Sequence, residues 1–220
     1  MERIRFAALR IGLGDLQDLQ KAIALAKRDW RDLLVAADFA ESLTAHQAWA
    51  EQALRDNPNP MVIILIGLSG SGKTTVGRSL ARELGWKFYE GDHFHRTENL
   101  TRLLHGQPIP EADSQAWLGK INDLIGKYLA KKQSVVFACT ALKESQRMAL
   151  GSNDAVQLIY LQSSPSQLEE RQKSRKMQLS NLERLAYQTS VFEEPSDVLV
   201  IDTSDAPPAL VESIRRALNV

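Results

Sequence analysis

Residues 67–74 have the types and spacing that bind the phosphates of a nucleotide, and they run Gly67-Leu68-Ser69-Gly70-Ser71-Gly72-Lys73-Thr74. The glycines let the backbone turn around an anion with successive N–H groups directed inward. Lys73 can reach the β- and γ-phosphates, and the Thr74 hydroxyl can ligate Mg²⁺. A turn that only joins a strand to a helix has no need of Gly-Lys-Thr. We therefore expect ATP and Mg²⁺ as ligands, and a nucleotide site formed by Gly67, Ser69, Gly70, Ser71, Gly72, Lys73, Thr74 and Thr75.

A second group of chemically capable residues follows at 90–95, with the sequence Glu90-Gly91-Asp92-His93-Phe94-His95. A carboxylate here can accept the proton of an attacking hydroxyl group, and we assign that role to Asp92. Glu90 is expected to assist through a Mg²⁺-bound water, and His95 to hydrogen-bond the substrate. The alternatives are that Asp92 is a turn residue after Gly91, or that His93 and His95 bind a metal, for which two histidines alone are weak evidence.

The elements that must hold these two groups are predicted by the hydrophobic pattern. The unbroken apolar run 61–66 predicts a buried strand before the phosphate loop, and Val76, Leu80 and Leu84 predict a helix after it that ends at Gly85. Strand-like and helix-like segments then alternate, which predicts an α/β fold with a five-stranded parallel sheet. The predicted strands are 61–66, 86–90, 134–139, 155–161 and 198–201. Helices are predicted within 97–132, with a break at 106–108, and at 166–176. A further helix is predicted from there to about 192, and a last one from Pro207 to Leu218.

Residues 1–57 carry no catalytic signature and are predicted to form a mainly helical extension. The segment 4–11 is predicted as a strand, and the apolar spacing from Asp15, a candidate N-cap, predicts a helix that Trp30 and its neighbours continue. A further helix is expected from Asp38 or Ser42 through Trp49 to Leu54. The extension is either a docking or dimerisation module or, as we favour, a structural addition. The proline-containing stretch 58–60 is the predicted linker to the phosphate-loop domain at 61–220.

Composition excludes several classes of protein. The 220 residues contain 27 lysines and arginines and 27 aspartates and glutamates. There is thus no surplus of basic residues of the kind that would indicate a nucleic-acid partner. The one cysteine, Cys139, excludes an internal disulfide framework and suits a reducing compartment. The apolar runs are strand-sized, so neither a secretory signal nor a membrane span is expected. We expect a cytoplasmic protein.

Several motifs, in order and at characteristic spacing, resemble the gluconate kinase family over residues 61 to about 203. Besides the phosphate loop and 90–95, they are Asn99, Gly106-Gln107-Pro108-Ile109, Trp117-Leu118, Ala138-Cys139-Thr140-Ala141-Leu142-Lys143, Arg147, Ile159-Tyr160-Leu161, Arg171, Arg175, Gln188 and Glu194-Pro195. The resemblance implies a nucleoside-monophosphate-kinase-like fold that transfers phosphate from MgATP to D-gluconate. It also suggests a homodimer.

The resemblance also implies roles for single residues. The acceptor pocket would contain Asp92, His95, Asn99, Lys143, Arg147 and Gln188. A mobile lid would carry Arg171, which contacts the nucleotide, and Arg175, which stabilises the transferring phosphoryl charge. The alternative for both arginines is charge pairing with Glu169 and Glu170 on an exposed helix.

The chain departs from the family pattern at three places. Ser114 stands where the family has an arginine near the substrate, Met177-Gln178-Leu179 stands where it has Gly-His-Phe, and Arg96 replaces a proline. Serine cannot replace the planar fork that an arginine offers to a carboxylate, so Arg96 and Arg102 are the candidates to compensate. Three hypotheses follow. The first is an active kinase for a sugar acid, and the second is a nucleotide-binding regulatory protein that has lost or altered its acceptor. The third is a nucleotide or shikimate-type acceptor, which the elements 91–95 and 141–143 favour less than a sugar acid.

Overall fold

The computed structural model describes only part of the N-terminal region. The described residues are Ile4, Ala7, Ala8, Ile11, 16–28, Leu33, Leu34, Ala37, 60–173 and 178–220, with only the backbone described for 178–180. The chain divides into two compact units, Met1–Asn57 and Pro58–Val220. No helix within the described ranges is both long enough and apolar enough to cross a membrane.

In the first unit, the prediction of a strand at 4–11 is wrong. The described residues of this segment, Ile4, Ala7, Ala8 and Ile11, are helical and have the spacing i, i+3, i+4, i+7. That spacing puts them on one face of a helix, where they pack with Ala22, Leu33 and Leu34. The predicted helix after Asp15 is present as α1 (Leu16–Arg28). The Asp15 cap, Trp30, Trp49, the helix to Leu54 and linker residues 58–59 lie outside the described residues.

The second unit is built on five parallel strands in the order β2-β3-β1-β4-β5. The strands are β1 (Val62–Ile66), β2 (Lys87–Glu90), β3 (Val135–Cys139), β4 (Val156–Gln162) and β5 (Leu199–Asp202). Ile64 of β1 aligns with Phe137 on one side and Leu158 on the other. Strands β1 and β3 are buried along their whole length, because helices cover both faces of the sheet. The predicted α/β fold with a parallel five-stranded sheet is confirmed.

Helices form the two outer layers. They are α2 (Lys73–Leu84), α3 (Thr97–Leu104), α4 (Glu111–Ala130), α5 (Glu144–Leu150), α6 (Pro165–Lys173), α7 (Gln178–Val191) and α8 (Pro207–Leu218). Alternate residues of β1 point to opposite faces, so Ile64 packs with Trp117 and Ile121 of α4. Its neighbour Leu65 packs with the apolar face formed by α2 and α8. Because all the strand pairs are parallel, the five carboxyl ends lie at the same end of the sheet, where ligands bind in such folds.

Candidate active site

The phosphate loop joins β1 to α2 in a conformation that depends on glycine. Gly70 and Gly72 have φ angles of 95° and 96°, in the left-handed region that disfavours residues with a Cβ. A Cβ on Gly70 would also lie 2.9 Å from the side-chain amide nitrogen of Gln172. Gly72 immediately precedes α2, so the free N–H groups of the first helical turn open at the end of the loop. The backbone is thereby arranged to bind an anion.

Lys73 lies inside this loop. Its ammonium group donates to the carbonyl oxygens of Gly67 and Leu68, at 2.8 and 2.9 Å. Burial lowers the pKa of Lys73 to about 8, although the nearby carboxylate of Asp92 acts to raise it. An ammonium group has three N–H donors, so one remains for a phosphate oxygen.

A cavity that we call the phosphate-loop cavity opens above the loop. It is lined by Ser69, Gly70, Gly72, Lys73, Thr74, Thr75, Glu90, Asp92, Thr140 and Arg184. Within it, the Thr74 hydroxyl donates to Glu90 Oε2 at 2.8 Å. The end of β2 therefore faces the start of α2, as the sequence predicts for residues at the carboxyl edge of a parallel sheet.

A second cavity, the acceptor cavity, lies beside the first. Its polar lining includes Asp92, His95, Ser114, Thr140, Lys143 and Gln146. Asp92 and Thr140 line both cavities, so they mark the junction between them. A group bound in one cavity can meet a group bound in the other at Asp92.

Asp92 is held in place through its neighbour Gly91. The Gly91 carbonyl accepts a hydrogen bond from the Trp117 indole at 2.8 Å. Its Cα packs so tightly that an added Cβ would lie 2.6 Å from Cys139 Sγ and 2.9 Å from the Ala138 carbonyl oxygen. Gly91 thus needs to be glycine because β3 lies against it, and this contact sets the position of Asp92.

We expect Gly91→Ala to destabilise the protein by about 1–3 kcal/mol, since its methyl group must displace buried atoms of β3. The matched control is Gly119→Ala within α4, where nothing lies within 4 Å of the added methyl. In a helix interior, alanine is more stable than glycine by about 0.5–1 kcal/mol. Urea denaturation of both variants should give shifts of opposite sign, and an unchanged midpoint for Gly91→Ala would contradict the packing described above.

His95 stacks on Trp117, with ring centroids 4.7 Å apart and planes 12° apart. Burial lowers the pKa of His95 below its usual value, and this effect exceeds the opposing one of Asp92. Its Nδ1 is buried and has no hydrogen-bond partner among the described residues. A neutral imidazole with a spare nitrogen, on the wall of the acceptor cavity, can exchange a hydrogen bond with a hydroxyl group.

The lowered pKa of His95 predicts how stability depends on pH. Near pH 6.5 His95 of the unfolded chain takes up a proton, whereas His95 of the folded protein resists protonation. The free energy of unfolding therefore decreases as the pH falls below 6.5. We expect wild type to lose more free energy of unfolding than His95→Gln between pH 7.5 and pH 5.5. Urea titrations at both values test this, with exposed His105→Gln as the control. Equal losses in wild type and His95→Gln would contradict it.

The other predicted acceptor residues lie in different surroundings. Lys143 lines the acceptor cavity, whereas Asn99 and Arg147 do not. Arg147 is buried, and its guanidinium donates to the carbonyls of Ala141 and Leu142, so it supports the loop that carries Lys143. Asn99 is buried on α3.

Gln188 and Arg171 both contact the phosphate loop. The Ser69 N–H donates to Gln188 Oε1 at 2.7 Å. Arg171 donates to the Gly70 carbonyl at 3.3 Å and to the Thr203 carbonyl at 2.8 Å, and thereby links the loop to the turn after β5. Arg175, the second predicted lid arginine, lies outside the described residues.

Sequence reasoning missed Arg184, whose Nη2 donates to Asp92 Oδ2 at 2.7 Å. The available signal was its place on α7, one turn before Gln188 and so on the same face of the helix. Of the two arginines expected to compensate for Ser114, Arg102 is exposed, and Arg96 is exposed and pairs with Asp113 at 3.8 Å. Neither lines the acceptor cavity. Ser114 itself is buried and accepts a hydrogen bond from Gln146 at 3.1 Å.

Comparisons with known proteins agree with this architecture. Residues 62–195 match the family described as AAA domain. The gluconokinase of Gluconobacter oxydans is 31% identical over 161 residues, which span 71% of this chain and 90% of that protein. The crystal structure of a gluconokinase from Sinorhizobium meliloti matches with a TM-score of 0.58 and 29% identity, over 73% of this chain and 97% of its own. A sugar kinase from Janibacter matches with a TM-score of 0.67 and 27% identity, over 73% and 95%.

The Gluconobacter match spans 90% of that protein at 31% identity, and the Sinorhizobium match spans 97% of that chain. The chain therefore belongs to the gluconokinase family of P-loop carbohydrate kinases.

Proposed function

We propose that this protein transfers the γ-phosphoryl group of ATP to a hydroxyl group of a small sugar acid, with D-gluconate as the acceptor and 6-phosphogluconate as the product. The observation that carries the proposal is the position of Asp92, which lines both the phosphate-loop cavity and the acceptor cavity. A carboxylate at this junction can contact an acceptor hydroxyl while that oxygen faces the terminal phosphate of ATP. Membership of the gluconokinase family supports gluconate as the acceptor.

The nucleotide would be bound by the phosphate loop and α2. Inward N–H groups and the positive end of the α2 dipole attract the phosphates, and Lys73 adds a full charge through its free N–H. Arg171 bridges the loop and the turn after β5, which suits a residue that borders the nucleotide. We assign Gln188 the task of holding the loop through the Ser69 amide rather than contacting the acceptor directly.

The residues around Thr74 fit a magnesium ion. Thr74 and Glu90 present hydroxyl and carboxylate oxygens 2.8 Å apart in the phosphate-loop cavity, and oxygen is the ligand that Mg²⁺ prefers. Among the described residues no group of three or more His, Cys, Asp or Glu could hold a metal ion. This suits Mg²⁺, which takes most of its ligands from water and phosphate. Thr74 would ligate the ion and Glu90 would hold one of its waters; when bound, the ion neutralises charge on the phosphates.

In the transfer itself, the acceptor oxygen attacks the γ-phosphorus in line with the bond to the β-phosphate oxygen. That bond breaks, its electron pair remains on ADP, and the hydroxyl proton passes to Asp92. The Asp92 carboxylate has two oxygens, and Arg184 occupies only Oδ2. The other oxygen therefore remains to accept the proton.

The acceptor would lie between His95 and Lys143. His95 is fixed by its stacking on Trp117 and offers a hydrogen bond to a hydroxyl group. Lys143, on the opposite loop, offers a positive charge to the carboxylate. Arg147 supports that loop, and Asn99 is buried on α3 without lining the cavity; we assign both an indirect role. Arg175 is proposed, from the family resemblance alone, to stabilise the transferring group. A homodimer is proposed on the same ground.

A panel of sugar acids, including D-gluconate, tests the proposal. The full-length protein is mixed with MgATP and each acid, and ADP formation is followed together with the mass and position of the product phosphate. We expect gluconate to stimulate ADP formation strongly and to yield 6-phosphogluconate. Tight ATP binding with no stimulation by any acid would instead favour the nucleotide-binding regulatory protein.

A further inference from the structure

The guanidinium group of Arg184 lies at the point where the two substrates of the proposed reaction would meet. It extends from α7 and forms an ion pair with Asp92 at 2.7 Å. It lines the phosphate-loop cavity together with Lys73 and Thr74, and it does not line the acceptor cavity. An arginine in this position faces phosphate rather than the far end of a sugar acid.

The hydrogen bonds of Arg184 are incomplete. Its side chain is only 18% exposed, yet its Nε is buried and has no hydrogen-bond partner among the described residues. A buried donor without a partner destabilises the protein, and more so when it is charged, so pairing with Asp92 alone leaves the guanidinium incompletely hydrogen-bonded. A guanidinium has five N–H donors in a planar fork, which matches the oxygens of a phosphoryl group.

We propose that Arg184 is a catalytic residue that binds the oxygens of the transferring phosphoryl group, a role that rests on the proposed kinase function. As the acceptor oxygen attacks and the bond to ADP breaks, negative charge is spread over the three equatorial oxygens of that group. The Nε–H and the free Nη–H groups of Arg184 donate to these oxygens. The ion pair with Asp92 aims the fork at this position before the substrates bind, so little reorganisation is needed at the moment of transfer.

This role differs from replacing the arginine that the family pattern has at Ser114. Ser114 lies in the acceptor cavity, bonded to Gln146, whereas Arg184 lies on the phosphate side of Asp92. A residue that bound the acceptor carboxylate would change the KM for the sugar acid. A residue that binds the transferring group changes kcat.

Aluminium fluoride tests the proposal without an acceptor, because with ADP it forms an anion that mimics the transferring phosphoryl group. The dissociation constant of ADP is measured with magnesium, with and without aluminium fluoride, for wild type, Arg184→Gln, Arg184→Lys and the control Arg216→Gln. Arg216 is an exposed arginine of α8 that also forms an ion pair, with Glu212. We expect aluminium fluoride to tighten ADP binding in wild type and in the control. In Arg184→Gln the ratio of the ADP dissociation constants without and with aluminium fluoride should be at least tenfold smaller than in wild type. Its affinity for ADP alone should change less than threefold. Arg184→Lys should recover part of it.

Equal tightening in wild type and Arg184→Gln, or no tightening in wild type, would overturn the proposal. A raised KM for the sugar acid with unchanged kcat in Arg184→Gln would also overturn it, since it would assign the residue to the acceptor. A wild-type protein that phosphorylates no sugar acid would contradict the proposed function alone. The aluminium fluoride measurement would still decide the role of Arg184.

Discussion

Replacing Asp92 by asparagine is expected to lower kcat by about 10²–10⁴-fold, the range typical for loss of a general base. Asparagine keeps the size of the side chain but cannot take the acceptor proton. It also loses the charge that pairs with Arg184 across 2.7 Å. The affinity for ATP should change only a few-fold, because Asp92 lines the phosphate-loop cavity but is not part of the loop 67–74. Steady-state kinetics with MgATP and gluconate measure the first effect, and calorimetric titration with an ATP analogue measures the second.

The control for Asp92→Asn is Asp123→Asn, which removes the same charge from an exposed position on α4. It should behave as wild type. If Asp92→Asn retained more than a tenth of wild-type kcat, the assignment of Asp92 as the base would be wrong. If it lost ATP binding as well, the residue would belong to the nucleotide site rather than to the junction.

Replacing Lys73 by methionine is expected to lower kcat by at least about 10²-fold, the usual effect of removing one donor to the developing charge. Methionine fills a similar buried volume but offers no donor to phosphate. It also leaves the Gly67 and Leu68 carbonyls without the bonds that Lys73 now donates. ATP affinity should fall as well, because the phosphates lose a full positive charge. Both quantities come from the same assays that are used for Asp92→Asn.

The matched variant is Lys87→Met, which removes an exposed lysine at the amino end of β2. The site lies at the carboxyl ends of the strands. We expect no change in kcat or in ATP affinity. Circular dichroism of Lys73→Met shows whether the fold is retained. A folded Lys73→Met variant with wild-type activity would contradict the placement of the phosphates in this loop.

The sequence predicted the parts of the fold that depend on local pattern. β1, the phosphate loop and α2 follow one another within 23 residues, and each has a strong signal: a buried apolar run, spaced glycines and an amphipathic helix ending at Gly85. The segment 4–11 was assigned wrongly because a short run of mixed apolar residues fits both the two-residue period of a strand and the 3.6-residue period of a helix. Its apolar residues at 4, 7, 8 and 11 have the helical spacing, and the structure follows it.

The missed residue, Arg184, shows what a single sequence leaves open. Asp92 and Arg184 are 92 positions apart, and no local pattern relates them. Their contact depends on how α7 packs over the carboxyl ends of the strands. Likewise, the family resemblance implied a substrate-binding role for Arg147, and in the structure its guanidinium donates to backbone carbonyls only five and six residues away. Charge and spacing identify a candidate side chain, and tertiary packing decides what it touches.

A crystal structure with magnesium, a non-hydrolysable ATP analogue and D-gluconate tests the central claim most directly. We predict that the acceptor hydroxyl lies within hydrogen-bond distance of the free Asp92 oxygen, about 2.6–3.2 Å, and faces the γ-phosphorus above Lys73. Gluconate bound away from Asp92, or an analogue whose phosphates lie outside the loop 67–74, would contradict it.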